Sequence, residues 1–178
     1  MERTTISVDR FAPRAHALWG QQWLLLSAGD FAAGKYNAMT VAWGSIGYIW
    51  ERPFVQILVR PHRYTFEFLE RYDTFTLCAF PAAQRRALQI LGARSGRDGD
   101  KLAESGLTPQ AAQRVAAPVY AEAELAIECR KLYWQDLNPA GFLEGDIAKL
   151  YARQDYHRVY FGEVLQVSAT DAYAVQDV

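Results

Sequence analysis

The sequence has little of what builds cross-linked or metal-held folds. It contains two cysteines, Cys78 and Cys129. They form no CxxC pair, which argues against a disulfide framework and against a cysteine zinc site. Sparse thiols with apolar neighbours fit a reducing compartment. The three histidines, His16, His62 and His157, are far apart, so a histidine metal cluster has no support. An excess of charge is missing as well: 19 basic and 20 acidic side chains leave a net charge of -1. That balance argues against nucleic acid as a partner, because a phosphate backbone calls for a surplus of Lys and Arg. It is compatible with a few cations gathered around one small anion.

Long hydrophobic runs are also lacking. The uncharged stretch from Tyr36 to Trp50 includes Asn37, Thr40, Gly44, Ser45 and Gly47 and is too short to span a bilayer as a helix. Met1 to Arg14 is charged throughout, with no apolar h-region, so the expectation is a cytoplasmic protein without membrane contact. No GxGxxG follows a strand, neither GxxxxGK[ST] nor HExxH occurs, and Gly44-Ser45-Ile46-Gly47 does not fit the GxSxG elbow. Rossmann, P-loop, zincin and serine-hydrolase chemistry therefore lack their signatures.

What is present is apolar and aromatic: 178 residues, 51% hydrophobic and 13% aromatic. That suits one ordered domain over residues 1–178 with its own core. Most apolar segments read as short strands. These are Trp23 to Leu26, Tyr36 to Trp43 after a turn containing Gly34, Phe54 to Val59 after Pro53, and Thr74 to Phe80. From Ala123 to Cys129 apolar residues alternate with Glu122, Glu124, Glu128 and Arg130, the period of a half-exposed strand. His157 to Val167 reads as a last long strand in which Gly162 suggests a bulge or a close backbone approach. Helices are expected over Thr65 to Arg71 and over Ala82 to Leu91, ending at Gly92, and Thr108-Pro109 reads as an N-cap with Pro at the first helical position. Strands with a few helices and no regular βαβ alternation favour a mainly β fold, a β-barrel with peripheral helices, or an α+β domain.

Four segments could carry chemistry, and each has a plainer reading. Arg60-Pro61-His62-Arg63-Tyr64-Thr65 lies where a buried strand gives way to a helix. Guanidinium groups, a hydroxyl and a helix N-terminus make a phosphate cradle, or else a solvated turn pairing with Glu67 or Glu70. Arg94-Ser95-Gly96-Arg97-Asp98-Gly99-Asp100-Lys101 can form an anion-binding nest, or a surface loop in which Asp98 or Asp100 caps the next helix. Asn37 to Ser45 places Asn37, Thr40 and Ser45 along an apolar strand, either to line a flat ligand or to satisfy backbone groups in a core. His157 can donate a hydrogen bond or a proton near neutral pH, or be a structural histidine.

Taken in register, these segments resemble one family. Tyr36-Asn37-Ala38-Met39-Thr40-Val41-Ala42-Trp43-Gly44, Trp50-Glu51-Arg52-Pro53 and Val59-Arg60-Pro61-His62-Arg63-Tyr64-Thr65 look like the flavin reductase-like proteins of the FMN-binding split-barrel superfamily, with the flavoredoxin-like branch nearest. Ser95-Gly96-Arg97-Asp98, Cys129-Arg130-Lys131-Leu132-Tyr133, Asp136-Leu137-Asn138-Pro139 and Asp155-Tyr156-His157-Arg158 with Gly162-Glu163-Val164 follow in order. The resemblance implies a Greek-key-like split β-barrel of six strands, a homodimer, and non-covalently bound FMN. It implies that Asn37, Met39, Thr40, Val41, Ala42 and Trp43 run along the ring and ribityl chain. Arg60, Arg63, Tyr64 and Thr65 would hold the phosphate, Ser95, Gly96 and Lys101 would close over it, and His157 would act beside flavin and nicotinamide. Ala42 departs from the Ser or Thr of many relatives, and His62 replaces a small polar residue. The implied activity is an oxidoreductase moving electrons from NAD(P)H to flavin, or through FMN to an acceptor protein or oxygenase. The alternatives are an FMN-binding electron carrier without NAD(P)H turnover, and a bare barrel that binds haem or another ligand.

Overall fold

The computed structural model describes residues 2–175. In chain order its strands are β1 (Thr4–Ile6), β2 (Leu24–Asp30), β3 (Lys35–Val41), β4 (Gly44–Ile49), β5 (Arg52–Val59), β6 (Thr74–Ala79), β7 (Pro109–Gln110), β8 (Val119–Tyr120), β9 (Leu125–Asp136) and β10 (Arg158–Ala169). The α-helices are α1 (Ala15–Ala17), α2 (Tyr64–Arg71), α3 (Arg85–Ala93), α4 (Lys101–Ser105) and α5 (Gly145–Lys149). Among the described residues no helix is long and apolar enough to cross a membrane.

One antiparallel path runs β3-β2-β6-β9-β10-β5-β4, and β1 pairs with the half of β10 that extends past β5. The main sheet therefore has eight strands, two more than the resemblance implied. Its end strands, β3 and β4, are separated in the chain only by Ala42 and Trp43. A two-residue link spans under about 11 Å, so the opposite edges must meet and the sheet must curl. They share no ladder, and the barrel stays split at that seam. The interior is filled by Leu24, Leu26, Val55, Ile57, Phe75, Leu77, Ile127 and Tyr160 with their neighbours. A second apolar cluster, including Leu25, Ala38, Cys78, Leu88 and Leu91, seats α3 against the outside of the sheet.

Several sequence expectations shift. The alternation at Ala123–Cys129 does not mark a half-exposed strand, because Leu125–Cys129 are all buried. Glu128 tolerates burial because its carboxylate accepts the backbone N–H groups of Gln113 at 3.1 Å and Arg114 at 2.6 Å, which replace its water. Thr108-Pro109 opens no helix. Pro109 starts β7, which pairs with β8, and the Thr108 N–H is held by the Glu122 carboxylate. The helix in that region comes earlier, capped by Asp100 accepting from Ala103 N at 3.0 Å and ended by Gly106 at φ 72°. The expected helix at Ala82 begins as a 3-10 turn and continues through Gly92 to Ala93.

The strand β4 gave no clear sequence signal. Its hairpin with β5 turns on Trp50 and Glu51, at φ 51° and 57°, where Asn and Gly are the usual residues. Trp50 packs on Tyr133 and Phe161, each at 6.0 Å between ring centroids, which offsets the left-handed strain. The final strand begins one residue after His157 and shifts register between Phe161 and Gly162. A Cβ on Gly162 would stand 2.4 Å from Phe75 Cζ, so the glycine marks both a bulge and a close approach.

Candidate functional site

The end of β5 and the start of α2 meet the end of β3 at the split of the barrel. Two adjoining hollows lie there. The first, about 210 Å³, is lined by Met39, Thr40, Val41, Ala42, Trp43, Leu58, Arg60, Arg63 and His157. The second, about 250 Å³, is bounded by Arg63, Tyr64, Thr65, Gly92, Ser95 and Lys101 among others. Arg63 belongs to both. Joined, they reach the roughly 300–1,000 Å³ of small-molecule sites.

The C-terminal turn of α3 assembles this region. Of its carbonyls, those of Leu91 and Gly92 lie past the last helical donors and take side-chain donors instead, and that of Leu88, one turn earlier, takes a side-chain donor as well. Thr40 Oγ1 donates to Leu88 O at 2.5 Å, Lys101 Nζ to Leu91 O at 3.1 Å, and Arg63 Nη2 to Gly92 O at 2.8 Å. Gly92 has a steric reason of its own: a Cβ there would press to 3.2 Å from Thr40 Cβ.

The cations divide into two kinds. Arg60 donates to both carboxylate oxygens of Asp155 at 2.8 Å and to Leu150 O at 2.9 Å. Its guanidinium also lies over the Tyr151 ring, and its hydrogen bonds hold the Asp155 carboxyl below the usual range. Arg94 pairs with Glu104, and Arg97 with Glu67. Arg63 and Lys101 instead meet only carbonyls, with no carboxylate partner among the described residues. Lys101 is 3% exposed. Burial, then the charge of Arg63, lowers its pKa to about 8. Burial, then Arg60, lowers that of Arg63. Two desolvated, uncompensated cations beside a hollow favour an anion in it.

At the other end stands His157, 8% exposed. Its Nδ1 lies 2.8 Å from Tyr151 Oη and its ring 5.1 Å from that of Trp43. Burial, helped by Arg60, lowers its pKa to about 4. The expectation of an imidazole titrating near neutrality is corrected: the ring is uncharged at pH 7, which leaves it a hydrogen-bonding group.

The sequence-predicted residues gather here with two exceptions, Asn37 and Gly96. Asn37 is buried, donates to Thr65 Oγ1 at 2.7 Å and lines a neighbouring hollow together with Gly96. Gly96 packs on Asn37, since a Cβ would meet Asn37 Oδ1 at 2.4 Å. Ser95 Oγ accepts the Arg97 N–H at 3.2 Å. Leu58, Gly92, Tyr151 and Asp155 were missed as site residues. Asp155 does adjoin His157 in sequence, but Tyr151 lies in a loop with no local pattern to mark it.

A family model for the flavin reductase like domain matches residues 20–174. The chain belongs to the flavin reductase-like family. Solved structures share its fold, and one of them, a putative flavin reductase from Shewanella frigidimarina, is described as having a split barrel domain. An FMN-binding domain of a flavin reductases-like enzyme from Shewanella baltica is 19% identical, with TM-score 0.68 over 94% of this chain and 77% of that one. Flavoredoxin of Desulfovibrio vulgaris is 21% identical, with TM-score 0.66 over 98% and 84%. An NADH:FAD oxidoreductase from Streptomyces globisporus is 18% identical, with TM-score 0.63 over 85% and 76%. No curated protein matches the sequence.

Proposed function

We propose that this flavin reductase-like protein binds FMN without a covalent bond and is an oxidoreductase that takes electrons from NAD(P)H. The observation that carries the reading is the pair of cations, half-buried Arg63 and buried Lys101, with no acid to balance them at the wall of the second hollow. A flavin phosphate supplies that balance. Arg63 would hold the phosphate by charge-assisted hydrogen bonds, Lys101 by charge, and the N-terminal N–H groups of α2, free of any side-chain cap, by the helix dipole. The Met39–Trp43 backbone and Leu58 would line the flat ring and exclude water from one side. Trp43, 44% exposed, stands at the rim. The redox chemistry is the cofactor's, a bound isoalloxazine being able to accept a hydride equivalent and pass electrons on.

A homodimer is part of the proposal. Trp50 and Tyr133 are exposed and cluster with Phe161, a contiguous aromatic face of the kind that marks an interaction surface. Addition of FMN to purified protein, followed by anaerobic NADH and NADPH, tests the function. A perturbed flavin spectrum that bleaches at turnover rates is expected. Binding without bleaching would leave a carrier that relies on another protein for electrons, and failure to bind FMN would remove the reading altogether.

A further inference from the structure

The contacts around His157 leave Nε2 as the nitrogen that faces the hollow and bear on whether it carries hydrogen. Tyr151 is 4% exposed. Its ring is held by Phe142, stacked at 5.6 Å, and by Tyr156 at 5.0 Å, with Arg60 over one face. Arg60 also ties the loop down through Leu150 O and Asp155. The hydroxyl is therefore presented from a fixed ring, 2.8 Å from His157 Nδ1. That leaves Nε2 without a protein partner among the described residues, on a ring that lines the first hollow.

Two arrangements satisfy the Tyr151–His157 contact. Either the phenol donates to Nδ1 and the hydrogen sits on Nε2, or Nδ1–H donates to the phenol oxygen and Nε2 has a bare lone pair. Phenol O–H is the more acidic donor, and a pyridine-type imidazole nitrogen is a better acceptor than a phenol oxygen, so the first is favoured. The charges facing the pair keep it neutral in either arrangement. Arg60, Arg63 and His62 disfavour an imidazolium, with Asp155 opposing them, and burial keeps the proton on Tyr151.

We propose that Tyr151 is a positioning residue that fixes the neutral Nε2–H tautomer of His157, so that the hollow receives an N–H donor opposite an acceptor atom of its occupant. The acceptor belongs to a carbonyl or carboxamide of the flavin or nicotinamide, a part of the proposal that rests on the flavin reading. The tautomer does not rest on it.

Long-range proton–nitrogen spectra of nitrogen-15-labelled, flavin-free full-length protein at pH 7 test the tautomer, with His157→Gln to assign the signals. The expected result is a pyrrole-type, protonated Nε2 and a pyridine-type Nδ1 shifted by an accepted hydrogen bond. In Tyr151→Phe, which keeps the stacked ring, the Nδ1 shift should move toward that of an unbonded pyridine-type nitrogen and the His157 pKa should rise. A protonated Nδ1, an imidazolium at pH 7, or spectra unchanged by Tyr151→Phe would overturn the proposal. The wild-type spectrum decides the tautomer even if the variant folds poorly. Failure of FMN to bind wild-type protein would sink the flavin reading and leave the tautomer result standing.

Discussion

Replacing Arg63 by Met separates ligand binding from folding. In the flavin-free protein the guanidinium donates to Gly92 O at 2.8 Å, is half-buried, and is repelled by Arg60. Losing that hydrogen bond costs about 1 kcal/mol. Removing a charge that burial and Arg60 both disfavour offsets part of that cost, and the Met side chain keeps the packing of the stem. Thermal stability without flavin should therefore change by no more than about 3 °C. Binding should respond strongly. A charge-assisted hydrogen bond is worth about 1.5–3 kcal/mol, so the Kd for FMN should rise roughly 10- to 150-fold. Riboflavin has the same ring and ribityl chain but no phosphate, and its Kd should change by less than about threefold, a difference under 1 kcal/mol. Fluorescence titrations with both ligands, beside melting curves of the free proteins, make the comparison. Equal losses for FMN and riboflavin would refute the placement of phosphate at Arg63. A large loss of flavin-free stability would refute the reading of Arg63 as an uncompensated cation.

Other outcomes follow from the same geometry. The Lys101 pKa near 8 should rise when a phosphate binds beside it, so FMN binding takes up a proton and its affinity should fall as pH climbs above 8. The fall should be absent for riboflavin and in Lys101→Met, as read by titration across pH 7 to 10. His157, with a folded pKa near 4 against about 6.5 unfolded, binds fewer protons in the folded state. Its contribution is present above pH 6.5 and is lost as pH falls toward 4. It amounts to at most about 3 kcal/mol, and His157→Gln should flatten that part of a denaturant-measured stability profile. Gly162→Ala forces a Cβ to 2.4 Å from buried Phe75 and should cost about 1–3 kcal/mol by overpacking. Gly145→Ala, with nothing within 4 Å, should cost little in the same urea titration.

Much of the site was legible because its residues lie in short continuous segments. Arg60 to Thr65 spans one strand end and one helix start, a local pattern that folding does not rearrange. Met39 to Trp43 lies along one strand end and the link that follows it. Gly162 announced its bulge because glycine inside a long strand has few other uses. Glu128 was misread because period-two alternation assumes that the polar face meets water, and a distant loop supplies N–H groups in water's place. Thr108-Pro109 was misread because a local capping pattern lost to pairing between β7 and β8.

The sequence by itself determined the class of the fold and the segments from which the cations come. It could not say which cations are free. Arg60, Arg63, Arg94, Arg97 and Lys101 look alike along the chain. Only the tertiary structure pairs Arg60, Arg94 and Arg97 with carboxylates and leaves Arg63 and Lys101 on the carbonyls of α3. The same is true of His157, whose neutrality comes from burial and the nearby charge of Arg60. Ionic pairing and desolvation depend on what stands within a few ångströms in space, and residues brought together from β5, α3, α4 and the loop before β10 are neighbours only once the barrel has closed.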